Sequence, residues 1–289
     1  MTRSQGGDTP PAGPIETVRF ARPAALPVVE IMTVENTQRL YEAMPDHHTF
    51  AVATAGGALS RYRGAVHTCR PGAFAMFEPG EIFRCTDVDC FSFHSIVIED
   101  ATLVEAAHEL DLPGRAVRFA RACVEDPELS GRLRELCLAV TRSATPLAQQ
   151  SLYAGCIASI VRTYGDASPR RLPGAREPVM VRRALELLHT APEQPITLDD
   201  LAQASGANKF TLLRAFQKRV GVPPHRYQLH LRIRRARELL RSGKGAAEVA
   251  MALGFYDQSH FISWFKRLTL VTPAAYSAGL DAPVGAARR

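Results

Sequence analysis

The sequence predicts an α+β chain of two domains: an N-terminal antiparallel β-barrel with accompanying helices, and a C-terminal all-α domain with two helix-turn-helix motifs. Three observations predict this fold class. The 289 residues suit about two domains. Short apolar runs between Gly and Pro turns fill residues 28–98, and helical periodicity follows them. The last hundred residues contain an internal repeat.

The first 110 residues combine a tail with a strand-rich domain. Residues 1–15 are rich in Gly, Pro and polar groups, so we expect a disordered tail. From 16 to 110, short runs alternate with Gly and Pro turns, which is typical of antiparallel strands in a small barrel or sandwich. The runs are HTFAVATA, ALSRYR, AVHTC, AFAMF, EIFRC and FSFHSIVI, and Gly56-Gly57 is predicted to be the first turn.

Helical periodicity begins near Asp100, and we predict that 111–164 is a helical region. Its leucine stripe is explained by packing within one chain. Residues 165–178, GDASPRRLPGAREP, have three prolines and no apolar period, so they are the predicted linker. The C-terminal domain then covers 179–280, and 281–289 is a second tail.

Basic residues are concentrated in the C-terminal part. Residues 1–177 hold 18 Arg and no Lys against 21 acidic residues, whereas 178–280 hold 15 Lys and Arg against 7 acidic residues. The second part therefore has a net charge of +8, which indicates nucleic acid as the first candidate partner and an anionic membrane as the second. No run of 18 apolar residues and no apolar leader occurs, so we expect a cytoplasmic protein without a membrane span.

Six cysteines lie in the first 156 residues, and no two have the CxxC or Cys/His spacing of a zinc site. We expect reduced, buried thiols in a cytoplasmic protein. A redox pair of Cys85 and Cys90 is the alternative, but their spacing places them on opposite faces of a straight strand.

The C-terminal part contains two copies of one unit. FQKRVGVPPHRYQ at 216–228 aligns with FKRLTLVTPAAYS at 265–277, and LAQASG at 201–206 aligns with VAMALG at 249–254. Each copy is predicted to be a short helix, a glycine turn and a second amphipathic helix, which is the outline of a helix-turn-helix. Residues 227–242 form one long amphipathic helix between the copies, which would fix the separation of the two motifs.

Capping residues mark where the helices of both copies begin. Thr197 with Asp200, Asn208 and Asp257 stand at these positions. The apolar pairs Leu212 and Phe216, and Phe261 and Phe265, are four residues apart and form the buried faces. The residues that then face outward are Phe210, Leu213, Arg214 and Gln217 in the first copy and Gln258, Ser259, His260, Ser263 and Lys266 in the second.

These outward faces suit the major groove of double-stranded DNA. Gln and Arg can form paired hydrogen bonds with base edges, and nearby cations can contact phosphates. Solvated helix faces are the alternative for any single residue, but two tandem copies in a basic domain favour DNA. We expect the two recognition helices to lie about one helical turn, roughly 34 Å, apart on the duplex. The flanking cations are Arg219, Arg226, Arg232, Arg234, Arg235, Arg237, Lys244 and Arg267.

At these residues the chain resembles the AraC/XylS family of bacterial transcription regulators. The motif GFYDQSHFISWFK followed by VTPAAY carries the resemblance, which covers 179–280. It implies a seven-helix DNA-binding domain. It also implies base contacts from Phe210, Leu213 and Arg214 in the first motif and from Gln258, Ser259, His260 and Ser263 in the second.

The chain departs from the family pattern in two places. Leu213 is apolar where a polar base reader is common, and the end of the second recognition helix differs. Members usually have an aromatic residue and then Gly just before VTP, where this chain has Thr269 and Leu270. A leucine in a left-handed turn costs about 1 kcal/mol or more relative to Gly. We therefore expect this helix end to be built differently.

The strand-rich domain resembles the cupin-like effector-binding domain of the same family, through HHTFAVATAGG and RPGAFAMFEPGEIFR. This implies a pocket for a small organic effector. The alternative is ordinary barrel core for the two Phe candidates and a solvated face for the Arg and Glu candidates. The candidate pocket residues are His48, Phe50, Arg61, Glu78 and Phe93.

The same domain is not predicted to bind a metal or cofactor. His47 and His48 are adjacent, so they point to opposite faces of a strand, and Phe83 stands where a metal-dependent cupin often has histidine. The sequence thus predicts a non-enzymatic DNA-binding transcriptional regulator modulated by a small-molecule effector. A cupin-type metalloenzyme fused to a DNA-binding domain is the alternative. The resemblance further implies a homodimer, with 111–164 as its dimerisation region, although packing within one chain explains the leucine stripe equally well. For an activator it also implies contact with RNA polymerase.

Overall fold

A computed structural model describes residues 15–26, 29–112, 117–166 and 178–281 of the chain, and it consists of an N-terminal antiparallel sheet domain and a C-terminal helical domain. Most of the predicted tails and of the predicted linker lies outside these residues. Gly165 and Asp166, which the linker included, instead form a short strand paired with Phe119 and Arg118.

The main sheet has the strand order β1-β2-β7-β4-β6-β9, with β3 paired to β7 and β5 paired to β4. All of these pairings are antiparallel. Short strands β8 and β10 pair with each other. The strands are β1 Thr17–Ala21, β2 Val29–Thr37, β3 Glu42–Ala43, β4 His48–Tyr62, β5 Ala65–Cys69, β6 Ala73–Phe77, β7 Phe83–Ile98, β8 Arg118–Phe119, β9 Cys123–Glu125 and β10 Gly165–Asp166.

Two strands are longer than the sequence predicts, and the predicted turn at Gly56-Gly57 is wrong. HTFAVATA and ALSRYR form the single strand β4, which bulges at Gly56 instead of turning back. Gly56 has φ +66°, and a Cβ there would lie 2.3 Å from the carbonyl oxygens of Asp89 and Cys90. A glycine that permits this close approach bends a strand without ending it.

EIFRC and FSFHSIVI likewise belong to one strand, β7, which contains the irregular residue Cys90 at φ +41°. All six cysteines lie in the described residues and are free thiols, so Cys85 and Cys90 form no disulfide. Burial raises the pKa of Cys85 to about 11, so this thiol is protonated and unreactive at neutral pH.

Helices α1 Asp100–Glu109, α2 Pro127–Thr141 and α3 Pro146–Tyr164 cover one face of the sheet. Phe50 and Ile96 of the sheet and Leu133 and Ile160 of the helices are all fully buried between the two layers. The prediction of helix over all of 111–164 is wrong for 118–125, where β9 extends the main sheet by pairing with β6. The segment is too short for a helical period to be distinguished from a strand.

Residues 178–281 form seven helices: α4 Val179–Thr190, α5 Leu198–Ser205, α6 Lys209–Val220, α7 Pro224–Arg241, α8 Ala246–Ala252, α9 Gln258–Thr269 and α10 Pro273–Asp281. The pairs α5–α6 and α8–α9 are the two predicted helix-turn-helix motifs, and α7 connects them. Gly206 ends α5 with φ +64°, and Gly254 follows α8 with φ +67°. None of the helices in the described residues is long and apolar enough to cross a lipid bilayer.

The expectation that the end of α9 differs from the end of α6 is wrong. Leu270 adopts the left-handed conformation, with φ +67° and ψ −11°, as Gly221 does after α6 with φ +89° and ψ −12°. The Leu270 side chain is buried among Val34, Phe91 and Phe93 of the N-terminal sheet. Burial of a leucine contributes about 1.5–3 kcal/mol, which offsets the strain of the turn.

Apolar side chains cross the boundary between the domains in both directions. Leu270 of the helical domain joins a cluster of the sheet domain, and Met44 of the sheet domain joins the cluster around α4 and α6. The rings of Phe20 and Tyr276 have their centres 4.7 Å apart across the same boundary. These contacts place the sheet domain directly against the end of α9, against α10 and against the cluster around α4 and α6.

Candidate functional site

The first recognition helix, α6, begins where the sequence predicts. Asn208 caps it by accepting a hydrogen bond from the backbone N–H of Phe210 at 2.9 Å. Leu212 and Phe216 are fully buried, which turns the opposite face to solvent. Phe210 is 65% exposed, Arg214 and Gln217 are exposed, and Leu213 is half-buried.

The second recognition helix, α9, has the same arrangement. Asp257 caps it by accepting from the backbone N–H of His260 at 2.6 Å, and Phe261 and Phe265 are fully buried. All five residues predicted to face outward are exposed: Gln258, Ser259, His260, Ser263 and Lys266.

The His260 ring is already engaged within α9. Its Nε2 atom lies 2.9 Å from the Nε1–H of Trp264, which donates to it. Guanidinium groups of Arg226 and Arg267 lie 4.7 Å and 5.0 Å from the centre of the Trp264 ring. This stacking orients both cations beside the outward face of α9.

Several cations that the sequence places at DNA phosphates are instead bound inside the protein. Arg226, Arg234 and Arg237 of α7 form ion pairs with carboxylates of the sheet domain. Arg232 donates to the carbonyl oxygens of Pro192 and Gly254. These four side chains therefore have protein partners in this arrangement, and their phosphate contacts stay a prediction. Periodicity shows which side of a helix is charged but not what covers it.

Glu42 is the centre of one interdomain cluster. Its Oε1 atom lies 2.7 Å from Nε2 of His230 and accepts from Nε of Arg226 at 3.0 Å, and its Oε2 atom accepts from Nε of Arg84 at 2.7 Å. Burial opposes ionisation of Glu42, but hydrogen bonds from His230, Arg226 and Arg84 outweigh it and lower its pKa to about 2. The carboxylate is therefore charged at neutral pH and holds α7 against the sheet.

Two further carboxylates continue this row along α7. Asp46 pairs with Arg237 at 3.3 Å, and Glu30 pairs with Arg241 at 2.7 Å and accepts from the Tyr276 hydroxyl at 3.1 Å. Burial disfavours the charged form of Arg237, yet the nearby Asp46 carboxylate raises its pKa above the ordinary value. Both domains thus contribute opposite charges to one continuous contact.

This row of ion pairs is not among the features predicted from the sequence. A usable signal was present, since His230, Arg234, Arg237 and Arg241 recur at the spacing of a single helix face. When only one helix is considered, a charged face beside an apolar face is interpreted as the solvent-exposed side of the helix. The partners Glu30, Glu42 and Asp46 lie about 190–210 residues away in sequence, so only the folded chain brings them together.

A cavity of about 90 Å³ lies between the domains at this row. The sheet supplies one wall and the segment Leu268–Val271, where α9 ends, supplies another. Aromatic rings dominate the sheet side, including Tyr41, Phe77, Phe83 and Phe93. The polar groups of Glu30, Asp46 and Arg237 stand at one end.

Of the predicted effector residues, Phe93 lines the cavity and the other four do not. His48 and Phe50 lie on the opposite face of β4, where His48 approaches Asp100 at 3.0 Å and Phe50 packs against the helices. Their neighbours Thr49 and Ala51 face the cavity instead. Side chains alternate along a strand, and the sequence pattern alone did not show which face meets the cavity.

The predicted residues Glu78 and Arg61 lie elsewhere. Glu78 is buried, not solvated, and it accepts from the backbone N–H of Phe119 at 2.8 Å and pairs with Arg63 and Arg118. Arg61 is exposed and borders a separate groove beside Lys218 at the end of α6. Among the described residues, no three His, Cys, Asp or Glu side chains lie close enough to hold a metal ion.

Comparison with known families agrees with this two-domain arrangement. A model of the AraC-like ligand binding domain matches residues 29–154, and a model of a helix-turn-helix domain matches residues 201–279. The chain belongs to the AraC family. It is therefore a transcriptional regulator with an N-terminal ligand-binding domain and a C-terminal helix-turn-helix DNA-binding domain.

Some relatives of this AraC-family regulator align with most of its chain, and others align with about the length of one domain. It is 29% identical to the uncharacterized HTH-type transcriptional regulator YbfI of Bacillus subtilis over 193 residues, which are 66% of this chain and 70% of YbfI. It is 33% identical to the HTH-type transcriptional regulator MtrA of Neisseria gonorrhoeae over 86 residues, which are 29% of each protein.

The crystal structure of apo ToxT from Vibrio cholerae has a similar fold. It superposes on this AraC-family regulator with a TM-score of 0.54, covering 88% of this chain and 98% of ToxT at 14% sequence identity. A second ToxT structure, from strain O395, gives a TM-score of 0.50 over 87% of this chain. At this identity the likeness establishes the shared fold.

Proposed function

We propose that this AraC-family regulator reads DNA with the outward faces of α6 and α9, and that a small-molecule effector in the interdomain cavity controls how it binds. The observation that carries this proposal is the wall formed by Leu268–Val271, because these residues form the end of recognition helix α9 and the turn after it. A ligand there contacts both the sheet domain and the end of that helix. Its affinity would then differ between arrangements of the two domains, which is the requirement for control.

The proposed DNA contacts come from the residues that the sequence predicts to face outward on the two recognition helices. Phe210, Leu213, Arg214 and Gln217 belong to α6, and Gln258, Ser259, His260, Ser263 and Lys266 belong to α9. Eight of these nine side chains are exposed and Leu213 is half-buried, and both helices are capped and firmly packed. This supports the role, since a reading side chain needs a rigid backbone beneath it.

The DNA-binding assignment is tested by selection from random duplexes followed by alanine variants. Two enriched elements about one helical turn apart are expected. On that operator, Arg214→Ala and Gln258→Ala should each weaken binding by about 1–3 kcal/mol, as measured by fluorescence anisotropy at fixed salt.

Arg70→Ala is the matched control, because Arg70 is exposed between β5 and β6 of the sheet domain, outside both recognition helices and outside α2 and α3. Its operator affinity should equal that of the parent protein. Unchanged affinity in both recognition-helix variants would contradict the placement of the DNA-reading faces.

The further partners follow from this role. A second copy of the chain would bind through the region of α2 and α3, where the 74%-exposed Leu147 at the start of α3 offers apolar surface. Sedimentation of the full chain should then give a dimer. RNA polymerase is the additional partner if the regulator activates transcription. We place the protein in the cytoplasm, because its proposed target is chromosomal DNA.

A further inference from the structure

A basic groove lies where the sheet domain meets the C-terminal end of recognition helix α6. Its volume is about 640 Å³. The end of β4 and Arg84 of β7 line its sheet side, and residues 217–220 line its helix side. Among the described residues that line the groove, Glu81 is the single carboxylate. Five lining side chains are cationic: Arg61, Arg63, Arg84, Lys218 and Arg219. Cations gathered in a groove attract anions.

Protein carboxylates neutralise two of these cations. Arg63 holds both oxygens of Glu81, with Nε donating to Oε2 at 2.7 Å and Nη2 donating to Oε1 at 3.2 Å. Arg84 donates to Oε2 of Glu42 at 2.7 Å. The carboxylate in the groove is thus engaged by its own arginine.

Arg61 and Lys218 carry charges that no protein carboxylate balances. Both side chains are exposed, and neither forms an ion pair with another residue in the described part of the chain. Arg61 also lies directly opposite Arg84 in the pairing of β4 with β7. Like charges opposite each other on neighbouring strands repel. An anion in the groove would relieve this repulsion.

The position of the groove indicates which anion reaches it. Gln217 lines the groove and is also the last of the four outward residues of α6. A recognition helix contacts base edges with its N-terminal part, and side chains that flank it contact the phosphates beside the major groove. Lys218 directly follows Gln217, and Arg61 stands on the sheet side of the same groove. A duplex read by α6 therefore brings its backbone to this groove.

We infer that this groove binds phosphate groups of the DNA backbone beside the first recognition helix, and that Arg61 is a DNA contact from the sheet domain. The inference rests on the proposed reading of DNA by α6. Arg61 can donate two hydrogen bonds to one phosphate, and Lys218 adds a point charge. These contacts add affinity for any sequence and do not select bases. The arrangement of the two domains then affects DNA affinity directly, because the sheet domain touches the duplex.

The salt dependence of operator binding by the full chain tests this contact. Fluorescence anisotropy between about 50 and 200 mM KCl gives the slope of log affinity against log salt concentration. Each lost phosphate contact reduces the magnitude of the slope by about 1. Arg61→Gln should show this reduction and should bind both the operator and an unrelated duplex about three- to ten-fold more weakly.

Two further variants control for charge and for folding. Arg70→Gln removes the same charge at an exposed position of the sheet domain that does not line the groove, and it should keep the slope of the parent. Arg61→Lys retains the charge and should keep the slope as well. Circular dichroism checks that all variants are folded. Equal slopes in Arg61→Gln and Arg70→Gln would overturn the inference.

Neutral methylphosphonate linkages locate the contact on the DNA. Single replacements beside the element that α6 reads should weaken binding of the parent by about five-fold where the groove holds a phosphate. At the same position Arg61→Gln should lose little more, because the charge that it would contact is already absent. Equal losses for the parent and Arg61→Gln at every position would contradict a direct contact.

Arg214→Ala separates this inference from the proposed function. Weakened operator binding in Arg214→Ala, with the parent slope in Arg61→Gln, would overturn the sheet-domain contact and leave the reading role of α6 intact. Unchanged operator affinity in Arg214→Ala would contradict that reading role and overturn the inference with it. Isothermal titration with inorganic phosphate gives the remaining outcome: phosphate binding that is lost in Arg61→Gln, with an unchanged salt slope, would assign the groove to a small anion instead of DNA.

Discussion

Leu270 combines local strain with long-range packing in a single residue. Its backbone has φ +67°, a conformation that favours glycine, and its side chain is 6% exposed in a cluster of the other domain. The left-handed backbone conformation disfavours every residue that has a Cβ atom, whatever the rest of its side chain. The packing of the side chain therefore explains why leucine occupies this position.

Substitutions at Leu270 should reveal both contributions. Leu270→Ala is expected to lower the free energy of unfolding of the full chain by about 2–5 kcal/mol, because it removes buried methyl groups and keeps the strained Cβ. Leu270→Gly should be more stable than the alanine variant by about 1 kcal/mol, because it removes the strain as well. Urea titration measures the order, and an alanine variant more stable than the glycine variant would show that strain is absent.

At the scale of elements, the bulge in β4 shapes the sheet that forms the cavity wall. The register of β4 against β7 shifts on both sides of Ala55, and Gly56 lies against the backbone of β7. A bulge bends a strand and increases its twist. One bent strand thus replaces two strands and a turn.

Two glycine substitutions distinguish the cost of a steric collision from the cost of a left-handed backbone conformation. Gly56→Ala should destabilise the protein by about 3 kcal/mol, because its Cβ would collide with two carbonyl oxygens at 2.3 Å. Gly64→Ala is the matched control: Gly64 has φ +79° but nothing within 4 Å of the added Cβ, so a loss of only about 1 kcal/mol is expected. Thermal unfolding of both variants provides the comparison, and equal losses would mean that β7 yields to the new methyl group.

The recognition helices are the elements that the sequence predicts best. Asn208 and Asp257 both cap the helices that they were expected to cap, and Thr197 forms a capping box with Asp200. Capping and helix periodicity depend on residues at most four positions apart, so local sequence is sufficient. The strand limits were harder to predict, because a glycine pair can turn a chain or bulge a strand.

At the scale of the whole molecule, the two domains are joined by opposite charges around Glu42. Its pKa is about 2 in the folded chain, against an ordinary value of 4.5. A carboxyl with a lowered folded pKa stabilises the protein fully above its unfolded pKa and loses this effect as the pH falls toward the folded value. The relevant window is therefore from about pH 4.5 down to about pH 2.

Acid unfolding should depend on this carboxylate. The shift corresponds to a stabilisation on the order of 3 kcal/mol, which should disappear across that window. Glu42→Gln is expected to remove most of this pH dependence in urea titrations at pH 6 and pH 3. Glu128→Gln is the matched control, because that carboxylate is 79% exposed and pairs with its helix neighbour Arg132. Equal pH dependence in both variants would disprove the role of Glu42.

The sequence by itself determined the two-domain class, the repeated helix-turn-helix and the outward residues Arg214 and Gln258, because periodicity, caps and turns act over a few residues. The tertiary structure decided which face of β4 meets the cavity, where Arg237 finds Asp46, and why Leu270 is tolerated in a left-handed turn. These features depend on contacts between residues about 180 or more positions apart, and their energies exist only once the two domains are packed together.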